Sequence, residues 1–494
     1  MTLLFIVLTY FAALFAISRW SARRGGGNDT FFRAGRRSPW PLVAFGMVGA
    51  SISGVTFVSV PGMVLTSQMT YLQVCLGFIL GYLAVAFVLL PVYYRLNLTS
   101  IYAYLGQRLG SEAHQTGAWF FLVSKMVGAA IKFYVVCIIL QRFVLEAWGV
   151  PLWLTVASMV LLIWLYTRHG GVRTLVFTDT FQTVCLFTAL LLIIYIVTGQ
   201  MGLSVGEAVS AVAADERSRV FVFDDWASPQ YFWKQLAGGA FIVVVMTGLD
   251  QDMMQKNLTC RTLREAQKDL CSYGLAFLPA NLLFLSLGVL LAQLFEAQGV
   301  SLPAKGDELL PMFVDGAGTA NPLEQSGNAT YHLSLLTSHF FVIGIVAASF
   351  SSADSALTSL TTSYCVDIRK KPADERLRRR VHLVVCLLFV GVIVAFDSLN
   401  NRSLIDAIYT LVGYTYGPLL GLFAFGLFTR RDVRGRWVPL VCVLSPLLCY
   451  AVSTLSEQLW GYRFGYELLL LNGLLTFAGL RMMTLPPAPP KGGE

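Results

Sequence analysis

Gly46-Met-Val-Gly-Ala-Ser-Ile-Ser-Gly-Val-Thr56, with Pro61-Gly62 just beyond, lies in the middle of an apolar run at about 40–65. The run is long enough to cross a bilayer as one helix. Its centre is not built like one, because glycines and hydroxyls cluster where a plain membrane helix carries Leu, Ile and Val. Backbone freed from a helix at membrane depth is tolerated only where protein buries it or it lines a cavity. A second run, at about 230–252, carries Gly238-Gly239 and then Thr247-Gly-Leu-Asp-Gln-Asp252. The two lie five spans apart and so run in opposite directions. Paired interruptions of this kind predict an inverted repeat with a binding site at the breaks. Close helix packing is the other use of such glycines, and Gly46 with Gly49 suits it equally.

The rest of the chain has the composition of the same environment. Of 494 residues, 56% are hydrophobic and 13% charged, with a mean hydropathy of +0.65. Soluble domains carry about 25% charged residues. Thirteen spans are expected, at about 2–20, 40–65, 70–94, 115–143, 150–167, 174–199, 230–252, 268–296, 334–366, 381–397, 404–428, 437–456 and 464–482. Their length excludes the short alternating strands of a membrane barrel. The fold class expected is an all-α polytopic membrane protein with one membrane domain, ending in a disordered tail at 483–494.

The net charge of +8 does not point to nucleic acid. Most Lys and Arg fall in alternate loops, including Arg19–Arg37, Lys256–Lys268, Arg369–Arg380 and Arg430–Arg436. That asymmetry marks those loops as cytoplasmic, with contact to anionic lipid. It places the N-terminus outside and the C-terminus inside. The first segment has its arginines after the apolar run, the reverse of a cleaved signal peptide. The nine cysteines lie in spans or cytoplasmic loops, so no disulfide framework is implied. The five histidines show no metal spacing, and neither a nucleophile elbow nor a P-loop occurs. Enzymatic and ATP-driven readings therefore have no residues to rest on.

Two further features carry chemistry. Ala347-Ala-Ser-Phe-Ser-Ser-Ala-Asp-Ser-Ala-Leu-Thr-Ser-Leu-Thr-Thr-Ser363 places Ala348, Ser351, Ser352 and Ser355 on one helical face, continued by Thr358, Ser359 and Thr362. Converging oxygens suit a hard cation such as sodium; small hydroxyl residues also serve close packing and back-bonding. Ionisable residues at membrane depth are the other feature. Asp179 follows Gly170-Gly171 in the sixth span and is a functional candidate, with a pair to Arg173 as the alternative. Asp354 sits within the hydroxyl stripe. Lys125 and Lys132, seven residues apart, either pair with a buried carboxylate, bind an anionic solute or snorkel. Asp250 and Asp252 adjoin Lys256, where solvation is plausible.

These residues resemble the sodium/solute symporter family, which includes bacterial proline, sialic acid and sugar symporters and shares the LeuT-type fold. The markers are Phe31-Phe-Arg-Ala-Gly-Arg36, Ser51-Ile-Ser-Gly-Val-Thr-Phe57, Gly170-Gly171 with Thr178-Asp179 and Gln182, Asp250-Gln251 with Gln255-Lys256, Gly306-Asp307 with Pro311, and Ser351-Ser352 with Asp367. Their order and spacing cover roughly residues 1–430. The resemblance implies a core of five plus five helices at 40–199 and 230–428. One helix at 2–20 precedes it and two at 437–482 follow.

The resemblance also implies a main sodium site of carbonyls from Gly49, Ile52 and Ala348 with hydroxyls of Ser351 and Ser352. A second sodium, found in some members, would use Asp179, Ser351, Asp354 and Ser355; Asp354 stands where the two-sodium sialic acid symporters carry a hydroxyl. Solute candidates are Ser51, Ser53, Thr56, Gln73, Asp250, Tyr414 and Tyr416. Val55-Thr56 replaces the Glu-Gln pair of the sugar transporters, and Phe277 stands at a sugar-binding lysine, so a hexose is less supported. The expected function is sodium-coupled import of a small polar solute, drawn from sialic acids, sugars, amino acids or carboxylates, across a bacterial inner membrane by alternating access, with the protein acting as a monomer. Proton coupling through Asp179 or Asp354, and a sensor or channel on the same fold, are the alternatives.

Overall fold

The structure is a computed structural model that describes residues 2–22, 27–145, 148–226, 228–316, 329–399, 413–462, 464–465 and 467–484. Each expected span falls on a helix. In chain order these are α1 (Thr2–Ala22), α2 (Trp40–Ser51), α3 (Gly54–Gly62), α4 (Tyr71–Ala84, prolonged to Arg95), α5 (Ser111–Leu140), α6 (Leu152–Gly170), α7 (Val172–Gln200), α8 (Phe232–Gly248), α9 (Gln251–Asn257), α10 (Leu263–Ala297), α11 (Ala329–Ser363), α12 (Glu375–Leu399), α13 (Gly417–Phe428), α14 (Val438–Trp460) and α15 (Leu468–Met482). The pairs α2/α3 and α8/α9 each form one broken span. Residues 404–412 of the eleventh expected span, and 485–494 of the expected tail, lie outside the described residues.

Both interruptions read from the sequence are breaks. Between α2 and α3 the chain bends by 62°, and between α8 and α9 by 71°. At the first, Ile52 (ψ 95°) and Ser53 (ψ 173°) are extended. Ser and Gly favour such a break because their side chains compete with helical hydrogen bonding or lend no rigidity. At the second, a π turn over Val244–Gly248 loosens the helix before Asp250 restarts it. The Asp250 carboxylate caps α9, accepting from the amides of Asp252 (2.8 Å) and Met253 (3.4 Å).

α11 runs through the middle of the bundle, against α2, α5 and α7. In its most apolar stretch 83% of residues are buried, against 28% in the helix containing α14. The hydroxyl stripe is therefore buried within the protein except at Ser352, which lines a cavity. α12 and α14 instead present Leu387, Leu388, Leu447 and Leu448 outward, the surface a helix shows to lipid. Glycine sets the closeness of α2 to α7. A Cβ on Gly49 would lie 2.0 Å from Thr183 Oγ1, and one on Gly46 would lie 3.0 Å from Asp179 Cβ. Packing and function are both served here, since the close approach brings Asp179 against the broken helix.

Candidate functional site: the first break, the cavity and the buried carboxylates

A helix leaves its last four carbonyls without an intrahelical partner. For α2 these are Val48, Gly49, Ala50 and Ser51. Val48 receives the amide of Ile52 (3.1 Å), and Ala50 receives the hydroxyl of Ser352 on α11 (3.0 Å). Among the described residues no hydrogen bond is made to the carbonyls of Gly49, Ser51 or Ile52. The Ser352 hydroxyl also lies 3.2 Å from the carbonyl of Ala348. It bridges the broken span to the central helix, with its lone pairs still available. Ser351, the neighbouring residue, points a different way and donates to Asp179 Oδ1 (2.7 Å).

The second break is differently appointed. Tyr93 on α4 donates to the carbonyl of Gly248 (2.9 Å), and Tyr102 donates to that of Leu249 (2.9 Å). The two carbonyls next to the restart are thereby satisfied, whereas among the described residues those of Met246 and Thr247 accept no hydrogen bond across the break.

Between the breaks lies a cavity. Ala50, Ser51, Thr56 and Ser352 form one wall, Lys125 and Lys132 of α5 another, and Asp250, Asp252, Tyr273, Phe277 and Tyr416 the rest. The charges within it are unequally matched. Lys125 Nζ lies 2.7 Å from Asp252 Oδ2 and 3.2 Å from Asp250 Oδ2, and the Tyr416 hydroxyl donates to Asp250 Oδ2 (2.7 Å). Lys132, about 10 Å further along α5 at 1.5 Å per residue, lines the same cavity. Among the described residues it makes no hydrogen bond or ion pair. Ser51 and Tyr273 share a short hydroxyl contact across the wall.

Below the first break is a sealed polar cluster. Asp179 on α7 and Lys256 on α9 are 1% and 2% exposed, with Lys256 Nζ 2.7 Å from Asp179 Oδ2. That distance is an ion contact without the alignment of a hydrogen bond. Asp354 accepts from the Tyr166 hydroxyl (2.6 Å) and from Ser355 (3.4 Å). Beyond the pair, towards the face with the basic loops, Gln255 Nε2 donates to Phe32 O (2.8 Å) and Thr362 (2.9 Å), and Gln251 ties Thr99 and Ile101. Asp367 gathers Ser100, Ser363 and His114. This end of the molecule is closed by buried polar bonds.

The structure therefore brings together Gly49, Ile52, Ala348 and Ser352 at the break, and Asp179 with Ser351 beside it. Asp354 and Ser355 meet each other and Tyr166. Of the solute candidates, Ser51, Thr56, Asp250 and Tyr416 line the cavity. Ser53, Gln73 and Tyr414 do not: Gln73 is bonded to the carbonyl of Gln230 (2.9 Å) and the amide of Val222 (3.2 Å), and the Tyr414 ring packs 6.1 Å from Tyr450. Two readings need correcting. Asp250 and Asp252 are buried rather than solvated, and Lys256, not Arg173, is the ion partner of Asp179. Lys125 takes both Asp250 and Asp252. Sequence reasoning missed Lys256 as a member of the site because it stands amid basic loop residues; the pattern that could have found it is its place one turn beyond an interrupted helix.

Comparison with known proteins agrees with this geometry. The sequence profile "Sodium:solute symporter family" matches residues 31–435. The chain is similar to the sodium/sialic acid symporter NanT of Aliivibrio fischeri, with 27% identity covering 87% of this chain and 84% of the relative. It is also similar to the sodium/sialic acid symporter SiaT of Proteus mirabilis, at 23% identity covering 97% and 96%. Among solved structures, the substrate-bound outward-open state of a Na+-coupled sialic acid symporter superposes with a TM-score of 0.77 at 19% identity, covering 98% of this chain and 97% of that one. The expected all-helical LeuT-type fold is borne out by that likeness. The chain belongs to the sodium:solute symporter family: it is a multi-pass membrane transporter, not an enzyme, and couples solute movement to sodium.

Proposed function

We propose that the protein imports a small polar solute bearing a carboxylate, together with sodium, across a bacterial inner membrane by alternating access. The observation that carries this reading is the pair of carbonyls at Gly49 and Ile52, free among the described residues, beside Ser352, which itself lines a cavity holding Lys132. Sodium exchanges water oxygens for such carbonyls and hydroxyls. In the main site they come from Gly49, Ile52 and Ala348 with Ser352 and Ser351. A hydroxyl that donates to a carboxylate, as Ser351 does, keeps a lone pair for a cation. A second cation would be drawn to Asp179 with Ser351, Asp354 and Ser355.

The solute would lie against Ser51, Thr56, Tyr273, Phe277 and Tyr416, with its carboxylate at Lys132. Lys125 is held by two aspartates, so Lys132 is the cation left for an anion. The related sialic acid symporters carry an acid, which fits. Binding of sodium at the break joins α2/α3 to α11; each of sodium and solute then raises the affinity of the other by the same factor. In this reading 40–199 and 230–428 are the inverted halves, the basic loops and tail face the cytoplasm against anionic lipid, the N-terminus is outside, and the monomer is the working unit.

The test is thermal denaturation of purified protein in sodium chloride against choline chloride, with N-acetylneuraminate, pyruvate, proline and glucose as probes. Sodium should stabilise the wild type, and an acid should stabilise it further only when sodium is present. Lys132→Met should weaken the acid's effect more than tenfold and leave the response to sodium alone unchanged. Absence of any sodium response would overturn the sodium site, and equal stabilisation of Lys132→Met by the acid would overturn the role of Lys132.

A further inference from the structure

The walls of the cavity bear on the body of the solute as well as on its charge. α5 turns Lys125, Gly128, Ala129 and Lys132 to it, at i, i+3, i+4 and i+7. Between the two lysines that wall is small and carries no polar side chain. Two other helices supply aromatic rings as i, i+4 pairs, Phe78 with Tyr82 on α4 and Tyr273 with Phe277 on α10. The pairs interlock. Ring centroids lie 5.7 Å apart for Phe78 and Phe277, 4.6 Å for Tyr82 and Tyr273, and 6.1 Å for Tyr273 and Phe277. Val243 and Met246 of α8 extend this apolar surface. The polar groups, by contrast, are largely spent on the protein itself. Ser51 is bonded with Tyr273, and Ser124 donates to the carbonyl of Phe120 (2.6 Å). Tyr416 and Lys125 are held by Asp250, and Ser352 is turned to Ala50 and Ala348. A solute with many hydroxyls would give up water at each and find few partners, and buried hydroxyls left unpaired weaken binding. Space is limited too. The cavity measures about 180 Å³, close to the roughly 150 Å³ of an apolar cavity that admits benzene.

We propose that the solute is a monocarboxylate with an apolar body the size of one ring. Its carboxylate meets Lys132. Its body packs against the bare stretch of α5 and the rings of Phe78, Tyr82 and Phe277, where removal of apolar surface from water supplies most of the affinity. Phe277 and Phe78 thereby set specificity: they accept a ring or a branched chain and offer nothing to a hydroxyl. A polyhydroxylated acid matches the charge of the site but not its walls. This inference rests on the reading that Lys132 takes a carboxylate, and adds what lies behind that carboxylate.

The test titrates the purified full chain, in saturating sodium chloride, with phenylacetate, gluconate, N-acetylneuraminate, pyruvate and the uncharged phenylacetamide, read as thermal stabilisation. Phenylacetate should half-saturate at a concentration about tenfold or more below each of the other acids, since pyruvate has the carboxylate without the ring and the other two carry hydroxyls in its place. This ranking on wild-type protein needs no variant to fold. The effect of phenylacetate should vanish in choline chloride; equal stabilisation there would mean partition into detergent and overturns the inference. Phe277→Ala should weaken phenylacetate about tenfold and move pyruvate by less than about twofold, whereas a merely structural role would weaken both alike. Gluconate or N-acetylneuraminate acting at or below the half-saturation of phenylacetate overturns the apolar body while the carboxylate reading of Lys132 stands. Phenylacetamide equal to phenylacetate overturns the carboxylate reading, and this inference with it.

Discussion

The two broken spans bend by similar angles, 62° and 71°, and both free backbone groups in the middle of the bundle. At the second break, tyrosines from α4 and the loop after it cap the carbonyls of Gly248 and Leu249, and Asp250 caps the new helix. At the first, Ser352 bridges to Ala50 while, among the described residues, the carbonyls of Gly49, Ser51 and Ile52 have no partner. A break alone does not make a cation site; what matters is whether neighbours have already satisfied the oxygens. The first break presents its free carbonyls beside the Ser352 hydroxyl of the central helix, whereas the second has its carbonyls capped where the chain restarts and Asp250 held at the start of α9.

That contrast can be attacked at either end. The largest effect is expected from Gly49→Val, whose side chain would run into Thr183. Overpacking of this kind costs about 3 kcal/mol or more where neither helix can move, and fluorescence-detected size exclusion should show loss of folded protein. Ser352→Ala should leave the fold intact but raise the half-saturating sodium concentration about tenfold, some 1.4 kcal/mol of binding. An unaltered titration would mean that the open carbonyls of the first break do not bind the ion. Tyr93→Phe is the complementary change and the mildest. It uncaps Gly248 at a cost of about 1 kcal/mol, read as a small drop in melting temperature with sodium affinity unmoved. A shift in sodium affinity from Tyr93→Phe would show that the second break contributes to the ion site after all.

The candidate site was only partly legible before the fold was known. Glycines and hydroxyls announced both breaks, and the spacing of Ser351 and Ser352 put them on the central helix. Their division of labour was not legible, because adjacent residues on a helix point about 100° apart and only the neighbours decide which faces the break. Gln73 and Tyr414 belong to the right helices yet turn to a loop and to α14, a matter of rotation about the helix axis that composition does not record.

The charges show the same boundary. The helical spans, the two interruptions and the burial of Asp179 within one of them follow from the chain itself, because hydrophobic length and backbone hydrogen bonding in lipid are local constraints. Which ammonium answers which carboxylate is not local. Lys125 with Asp250 and Asp252, and Lys256 with Asp179, join helices distant in sequence, and among the described residues Lys132 is left without a carboxylate. Those pairings were decided by packing, where glycine lets α2 approach α7 and the bends turn α3 and α9 aside. Tertiary structure alone determined which buried charges are spent on one another and which remain for a solute or an ion.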